Sequence, residues 1–183
     1  MGRGRSTAAG ILSRKAGLPP IVRADARVLI LGSLPGDASL SAQQYYAHPR
    51  NHFWTLVSEL AGADLTILDY PTRIAALQAT GIALWDVIGE ANRPGSLDQK
   101  IRDACANDLR GFVNKLPDLR AVAFNGKKAA ALAAGMFDGL PVDIIHLPSS
   151  SPAYTIGAAA KGETWAMLAQ YLKPLEHRVC ITI

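Results

Sequence analysis

Cysteine is scarce: the 183 residues contain two, Cys105 and Cys180. That excludes a disulfide framework and a four-cysteine zinc or iron–sulfur site. Both read as buried or terminal thiols in a reducing compartment, so the expected location is the cytoplasm, on the nucleoid if the cell is bacterial. Long apolar runs are also missing. The most apolar early stretch, Thr7 to Val22, is interrupted by Arg14, Lys15, Pro19 and Pro20, which fits neither a signal peptide nor a membrane span. No Gly-x-x-x-x-Gly-Lys-Ser/Thr, Gly-x-Ser-x-Gly or His-Glu-x-x-His segment occurs, so three common nucleotide, acyl-transfer and zinc chemistries lack their motifs. Of the four histidines, His48 and His52 alone stand at i,i+4. No metal and no cofactor are expected. Excess charge is small, with 19 basic against 15 acidic residues and a net +4. That permits nucleic-acid binding without requiring it.

What is present is apolar and regularly spaced. Hydrophobic residues make up 49% of the chain, enough for one globular domain with a full core. Four short apolar runs read as buried parallel strands: Arg27–Leu31, Gly81–Trp85, Leu119–Phe124 and Val142–Leu147. Helical patterns separate them at Phe53–Ala61, Pro71–Thr80, Asp98–Leu116 with a break near Gly111, Gly126–Phe137 and Gly157–Leu172. Alternation of this kind predicts an α/β, doubly wound sheet. Basic residues crowd the start: Arg3, Arg5, Arg14, Lys15, Arg23 and Arg27 meet Asp25 alone. The expected organisation is a basic arm over residues 1–26 and a single α/β domain over 27–183.

In a doubly wound sheet, ligands sit beyond the carboxyl ends of the strands. The loops after Leu31, Trp85, Phe124 and Leu147 leave at that edge and hold the residues able to carry chemistry. The turn Gly32-Ser33-Leu34-Pro35-Gly36-Asp37 brings backbone close to a ligand. The stretch Tyr45 to Trp54 gathers four aromatics around His48, Pro49, Arg50 and Asn51. Asn51 can hold a water while also capping the helix that begins at Phe53. One of Tyr45 and Tyr46 is expected in a pocket, able to stack on a base, and the other in its wall. Asp86 can accept an imide or lactam N–H. Asn125 and Lys127 flank a glycine at a helix start suited to phosphate. Ser149-Ser150-Ser151, between Pro148 and Pro152, offers hydroxyls and N–H groups to a phosphate backbone.

These motifs, in this order, resemble the uracil-DNA glycosylase superfamily. His48-Pro49-Arg50-Asn51-His52-Phe53-Trp54 is similar to the HPxNRFW segment of its mismatch-specific members. With GSLPGD before it, LPSSSPA near the end, the LWDVIG segment and Arg93-Pro94-Gly95-Ser96-Leu97-Asp98, the chain most resembles the hypoxanthine-DNA (deoxyinosine) glycosylase branch over about residues 27–172. The resemblance implies a three-layer α/β/α fold with a four-stranded parallel sheet. It implies a monofunctional DNA glycosylase of base excision repair, which flips a deaminated base (uracil, hypoxanthine or xanthine) out of DNA and hydrolyses its N-glycosidic bond. Gly32, Ser33, Leu34, Pro35, Tyr46, Phe53 and Asp86 would bind the base. His48, Asn125, Lys127, Ser149, Ser150, Ser151, Pro152 and Tyr154 would bind DNA.

Two departures shape the mechanism. Leu34 stands where relatives carry a polar residue in their first motif. Leu147 stands where the usual HPS motif has histidine, with His146 one residue earlier and therefore on the other face of a strand. The resemblance then implies that the catalytic role passes to Asn51, which matches the asparagine of the hypoxanthine branch, with Asp37 as reserve base. A non-catalytic binder of lesions or abasic DNA on the same fold is the alternative. A monomer acting on DNA that contains a deaminated base, with no membrane, is the expected context.

Overall fold

A computed structural model describes residues 14–172. Four strands form its parallel sheet: β2 (Val28–Gly32), β3 (Ile82–Asp86), β6 (Ala121–Asn125) and β7 (Asp143–Leu147), in the order β3-β2-β6-β7. Side chains alternate between two cores. Val28, Ile30, Ile82, Leu84, Ala121 and Ala123 enter one with α2 (Phe53–Ala61), α3 (Tyr70–Ala79) and α6 (Ala158–Trp165). Leu29, Leu31, Ala83, Val122 and Phe124 enter the other with α4 (Leu109–Val113) and α5 (Lys127–Leu132). A central strand apolar at every position is the consequence of helices covering both faces.

Helix ends follow local chemistry. Phe53, Trp54, Leu56 and Val57 form the buried side of α2, which stops at Gly62 in the left-handed region, φ 65°. Asp69 caps α3 by accepting the Thr72 N–H at 2.8 Å, with Pro71 in the first turn. The carboxyl-terminal helical stretch is divided: α6 passes through a short 3₁₀ turn, Ala166–Leu168, into α7 (Ala169–Leu172).

A second, antiparallel sheet lies outside the expected pattern. It joins β1 (Arg14–Ala16), β4 (Ile88–Asn92) and β5 (Arg102–Ala106) in the order β1-β4-β5. The helix expected over Asp98–Leu116 is therefore corrected to a 3₁₀ turn at Asp98–Lys100, the strand β5 and the five-residue α4, which contains Gly111 rather than breaking at it. Every residue of β5 is exposed, so the strand has no inward face to produce a period-two pattern. Cys105 lies on it, exposed rather than buried.

Of the basic arm expected over residues 1–26, residues 14–26 are described. From Arg14 onward the chain is part of the fold: β1 pairs with β4, Leu18 joins the main core, and Ile21 bridges Leu84. Arg3 and Arg5 lie outside the described residues, as do Cys180 and His177. No helix among the described residues is long and apolar enough to cross a membrane.

Candidate active site at the carboxyl edge of the sheet

Strand register builds the site. Gly32 pairs with Asp86 and Asn125 with Leu147, so all four parallel strands end at one edge. The loops leaving that edge enclose a pocket of about 330 Å³, near the lower end of the roughly 300–1,000 Å³ usual for small-molecule sites. Its lining includes Gly32 to Asp37, Tyr46, His48, Asn51, Asp86, Asn125 and Ser149 to Tyr154. Of the proposed site residues, Phe53 and Lys127 do not line it. Phe53 is fully buried behind Tyr46, with ring centroids 3.8 Å apart and planes 11° from parallel. It packs against the Tyr46 ring rather than lining the pocket. Lys127 is exposed at the start of α5, outside the pocket.

The adjacent tyrosines separate. Tyr45 turns into the core, where its hydroxyl donates to the Leu18 carbonyl at 3.1 Å. Tyr46 takes a left-handed backbone, φ 54°, an unusual conformation for a bulky residue and one that clusters at functional sites. Phe53 covers one face of its ring. Desolvation pushes the Tyr46 phenol well above its ordinary range, keeping it protonated.

Asn125 ties two loops together. Its amide donates to the Tyr46 hydroxyl at 3.0 Å and to Ser150 Oγ at 2.8 Å, and its carbonyl accepts the Ser150 N–H at 2.8 Å. The Ser150 carbonyl accepts the His52 N–H at 3.0 Å. Ser150, expected on DNA, is fully buried and anchors the loop, while Ser149 and Ser151 stay partly open. Lys161 lies beneath, buried, donating to the Ser151 carbonyl at 3.3 Å and facing the Tyr154 ring at 5.4 Å.

Asn51 occupies the pocket wall and also steadies the helix start: its Oδ1 accepts the Phe53 N–H at 3.0 Å. That bond orients the amide, and Oδ1 retains a second lone pair. Asp86 is 4% exposed, and its Oδ2 has no hydrogen-bond partner among the described residues. Burial pushes its carboxyl up to about 7. Asp37 sits at the mouth, half exposed, in an ion pair with Lys15.

Leu34 turns its side chain away from the pocket into a small core with Ile88, Ala91 and Ile101, so its turn presents backbone. Leu147 is buried in the main core and His146 is exposed outside the pocket lining. Sequence reasoning missed what holds this turn. Ser33 Oγ donates to Asp98 Oδ2 at 2.7 Å, and Ser96 Oγ accepts the Asp37 N–H at 2.8 Å. Arg93, fully buried, donates to the Leu34 carbonyl at 3.1 Å and to the Pro35 carbonyl. The Arg-Pro-Gly-Ser-Leu-Asp motif was the available signal, but arginine is ordinarily a surface residue. Among the described residues no group of three or more His, Cys, Asp or Glu side chains is arranged to hold a metal.

Comparison with known proteins agrees with this geometry. The family model described as the uracil DNA glycosylase superfamily matches residues 19–175. A hypoxanthine DNA glycosylase of Methanosarcina barkeri is 43% identical over 116 residues, 63% of this chain and 73% of its own. A hypoxanthine DNA glycosylase of Methanosarcina acetivorans is 40% identical over 139 residues, 76% of this chain and 87% of its own. The solution NMR structure of a candidate uracil DNA glycosylase from Methanosarcina acetivorans superposes with a TM-score of 0.79 at 36% identity, covering 87% of this chain and 99% of that one. The chain belongs to the uracil DNA glycosylase superfamily, in its hypoxanthine-DNA glycosylase branch.

Proposed function

We propose that this protein is a monofunctional DNA glycosylase that removes deaminated bases, hypoxanthine and uracil foremost and xanthine as a third substrate, as a cytoplasmic monomer in base excision repair. The observation that carries the reading is the meeting, in one pocket, of the oriented Asn51 amide and the buried Asp86 carboxyl, whose Oδ2 has no partner among the described residues. Each of these bases offers a carbonyl beside an N–H. A buried carboxyl near half-protonation can accept the N–H or donate to the carbonyl, as an amide would.

The flipped base stacks on the free face of Tyr46. Ser149, Ser151 and the backbone around Pro152 hold phosphates, and Tyr154 at the rim presses toward the vacated stack. The C1′–N bond breaks with its electron pair on the base, and the sugar develops oxocarbenium character. Asn51 Oδ1 holds the water that adds to C1′, whose proton passes to solvent or to the departing base. Asp37 is a weaker candidate for that role, because Lys15 already shares its charge. No strand is cut, and an abasic site remains.

One observation favours a second reading, a non-catalytic lesion binder: the Leu34 and Leu147 side chains both lie in cores, so neither of those two positions offers an acidic or imidazole group to activate water. End-labelled oligonucleotides carrying one uracil, hypoxanthine or xanthine, single-stranded and paired, separate the two. Alkali-dependent cleavage after incubation with the protein supports the glycosylase. Lesion-selective binding without alkali-sensitive product at high protein supports the binder.

A further inference from the structure

We propose that Arg93 is a positioning residue for base release: it orients the Gly36 N–H toward the departing base and places a buried positive charge behind it. The inference rests on the glycosylase reading and deepens it.

In a trans peptide the C=O and N–H point in opposite directions, and the described chain has no cis bond. Arg93 draws the Pro35 carbonyl toward itself, so the Gly36 N–H of the same peptide points away from the arginine. Gly36 lines the pocket. One residue pair earlier, the Ser33 carbonyl accepts the Ile88 N–H at 3.0 Å, which turns the Leu34 N–H the opposite way. Neither the Leu34 nor the Gly36 N–H donates to a protein acceptor among the described residues. A turn whose carbonyls are pulled backward and whose N–H groups are left free has the form of an anion cradle.

Arg93 also has an unusual charge environment. It is fully buried, its Nε donates to the Gly95 carbonyl at 3.0 Å, and its nearest carboxylate oxygen, on Asp98, is 3.8 Å from Nη1. An arginine does not lose its proton to relieve burial. Its three hydrogen bonds go to neutral carbonyls, so its charge reaches a base that leaves with an electron pair, although Asp98, Asp37 and Asp86 all act on it. Asp98, 39% exposed, offsets part of it.

The test compares single-turnover release of uracil and of 5-fluorouracil, a more acidic leaving group, by the full chain. Wild type is run first: no release of either base sinks the glycosylase reading itself. Arg93→Lys keeps a charge but cannot hold both carbonyls. Gly36→Pro deletes the N–H without touching the arginine, at a φ of −69° that suits proline. Each variant is expected to slow uracil release by about 10²-fold and 5-fluorouracil release distinctly less, with unchanged affinity for abasic DNA. The double variant should be little slower than either alone. Equal slowing of both bases, or wild-type release by folded Gly36→Pro, overturns the inference. If Arg93→Lys does not fold, Gly36→Pro decides alone.

Discussion

Gly32 and Asp86 sit opposite each other on β2 and β3, so close that a Cβ on Gly32 would lie 2.4 Å from Asp86 Oδ1. Glycine is required there by the carboxyl, not by the backbone. Gly32→Ala should push Asp86 from its place and lower base release by about 100-fold, the usual scale for a displacement near 1 Å, with a smaller loss of affinity for abasic DNA. Single-turnover rates beside binding isotherms check this. An unchanged rate would mean that Asp86 does not touch the base.

Asp86 also sets a pH dependence. Its carboxyl rises on folding from an ordinary 3.8 to about 7 because burial penalises the anion. A group whose folded value is raised stabilises the fold fully below its unfolded value and loses that contribution as pH climbs toward the folded one. Stability should therefore fall between about pH 4 and pH 7 by up to about 4 kcal/mol from this group. Asp86→Asn should flatten that slope and raise the melting temperature at pH 8. Melting curves across pH, wild type against variant, provide the check, and parallel curves would remove Asp86 as the cause.

Asn125 bonds to Tyr46 and twice to Ser150. Asn125→Ala leaves the buried Ser150 N–H without its acceptor, a loss of about 1–3 kcal/mol. It also frees the serine loop from the Tyr46 platform. The expected result is a lower melting temperature with a drop of tenfold or more in affinity for abasic DNA. Asn125→Asp, which keeps the acceptor for Ser150 but not the donor to Tyr46, should recover most of the stability.

Residues 14–26 belong to the fold, so truncation separates two roles. Removal of residues 1–22 takes away β1, Leu18 and the Ile21–Leu84 bridge and should destabilise the whole protein. Removal of residues 1–12 takes Arg3 and Arg5 and leaves that packing intact. If those arginines touch phosphate, the shorter truncation reduces the salt dependence of DNA binding by up to about 0.9 for each phosphate no longer neutralised and leaves the melting temperature unchanged.

The parts of this molecule legible in its sequence are those whose environment is uniform. Val28 to Leu31 is buried on both faces, and Phe53 to Val57 carries a helical apolar face, so pattern and structure coincide. Gly32, Asn51, Asp86, Asn125 and Ser149 stand at strand ends or helix starts, where sequence order alone brings loops to one edge. β5 was illegible because all of its residues are exposed, and it pairs with β4 through irregular register. The role of Arg93 was illegible because the two turn carbonyls it holds stand 58 and 59 residues away, and the motif around it does not name them. The sequence also did not announce that Phe53 stacks on Tyr46, seven residues earlier, across a left-handed turn at Tyr46.

The most direct test of the central claim is Asn51→Ala against wild type, in single-turnover release of hypoxanthine and uracil from end-labelled duplexes with alkali treatment. Because Asn51 Oδ1 also supports the Phe53 N–H, Asn51→Asp, which retains that acceptor, is run alongside as a fold control. The account predicts alkali-sensitive product from wild type and a fall of at least about 10²-fold in Asn51→Ala, a scale usual for losing one catalytic group, with lesion DNA still bound. Undiminished release by Asn51→Ala would contradict it and move the water to another group of the pocket.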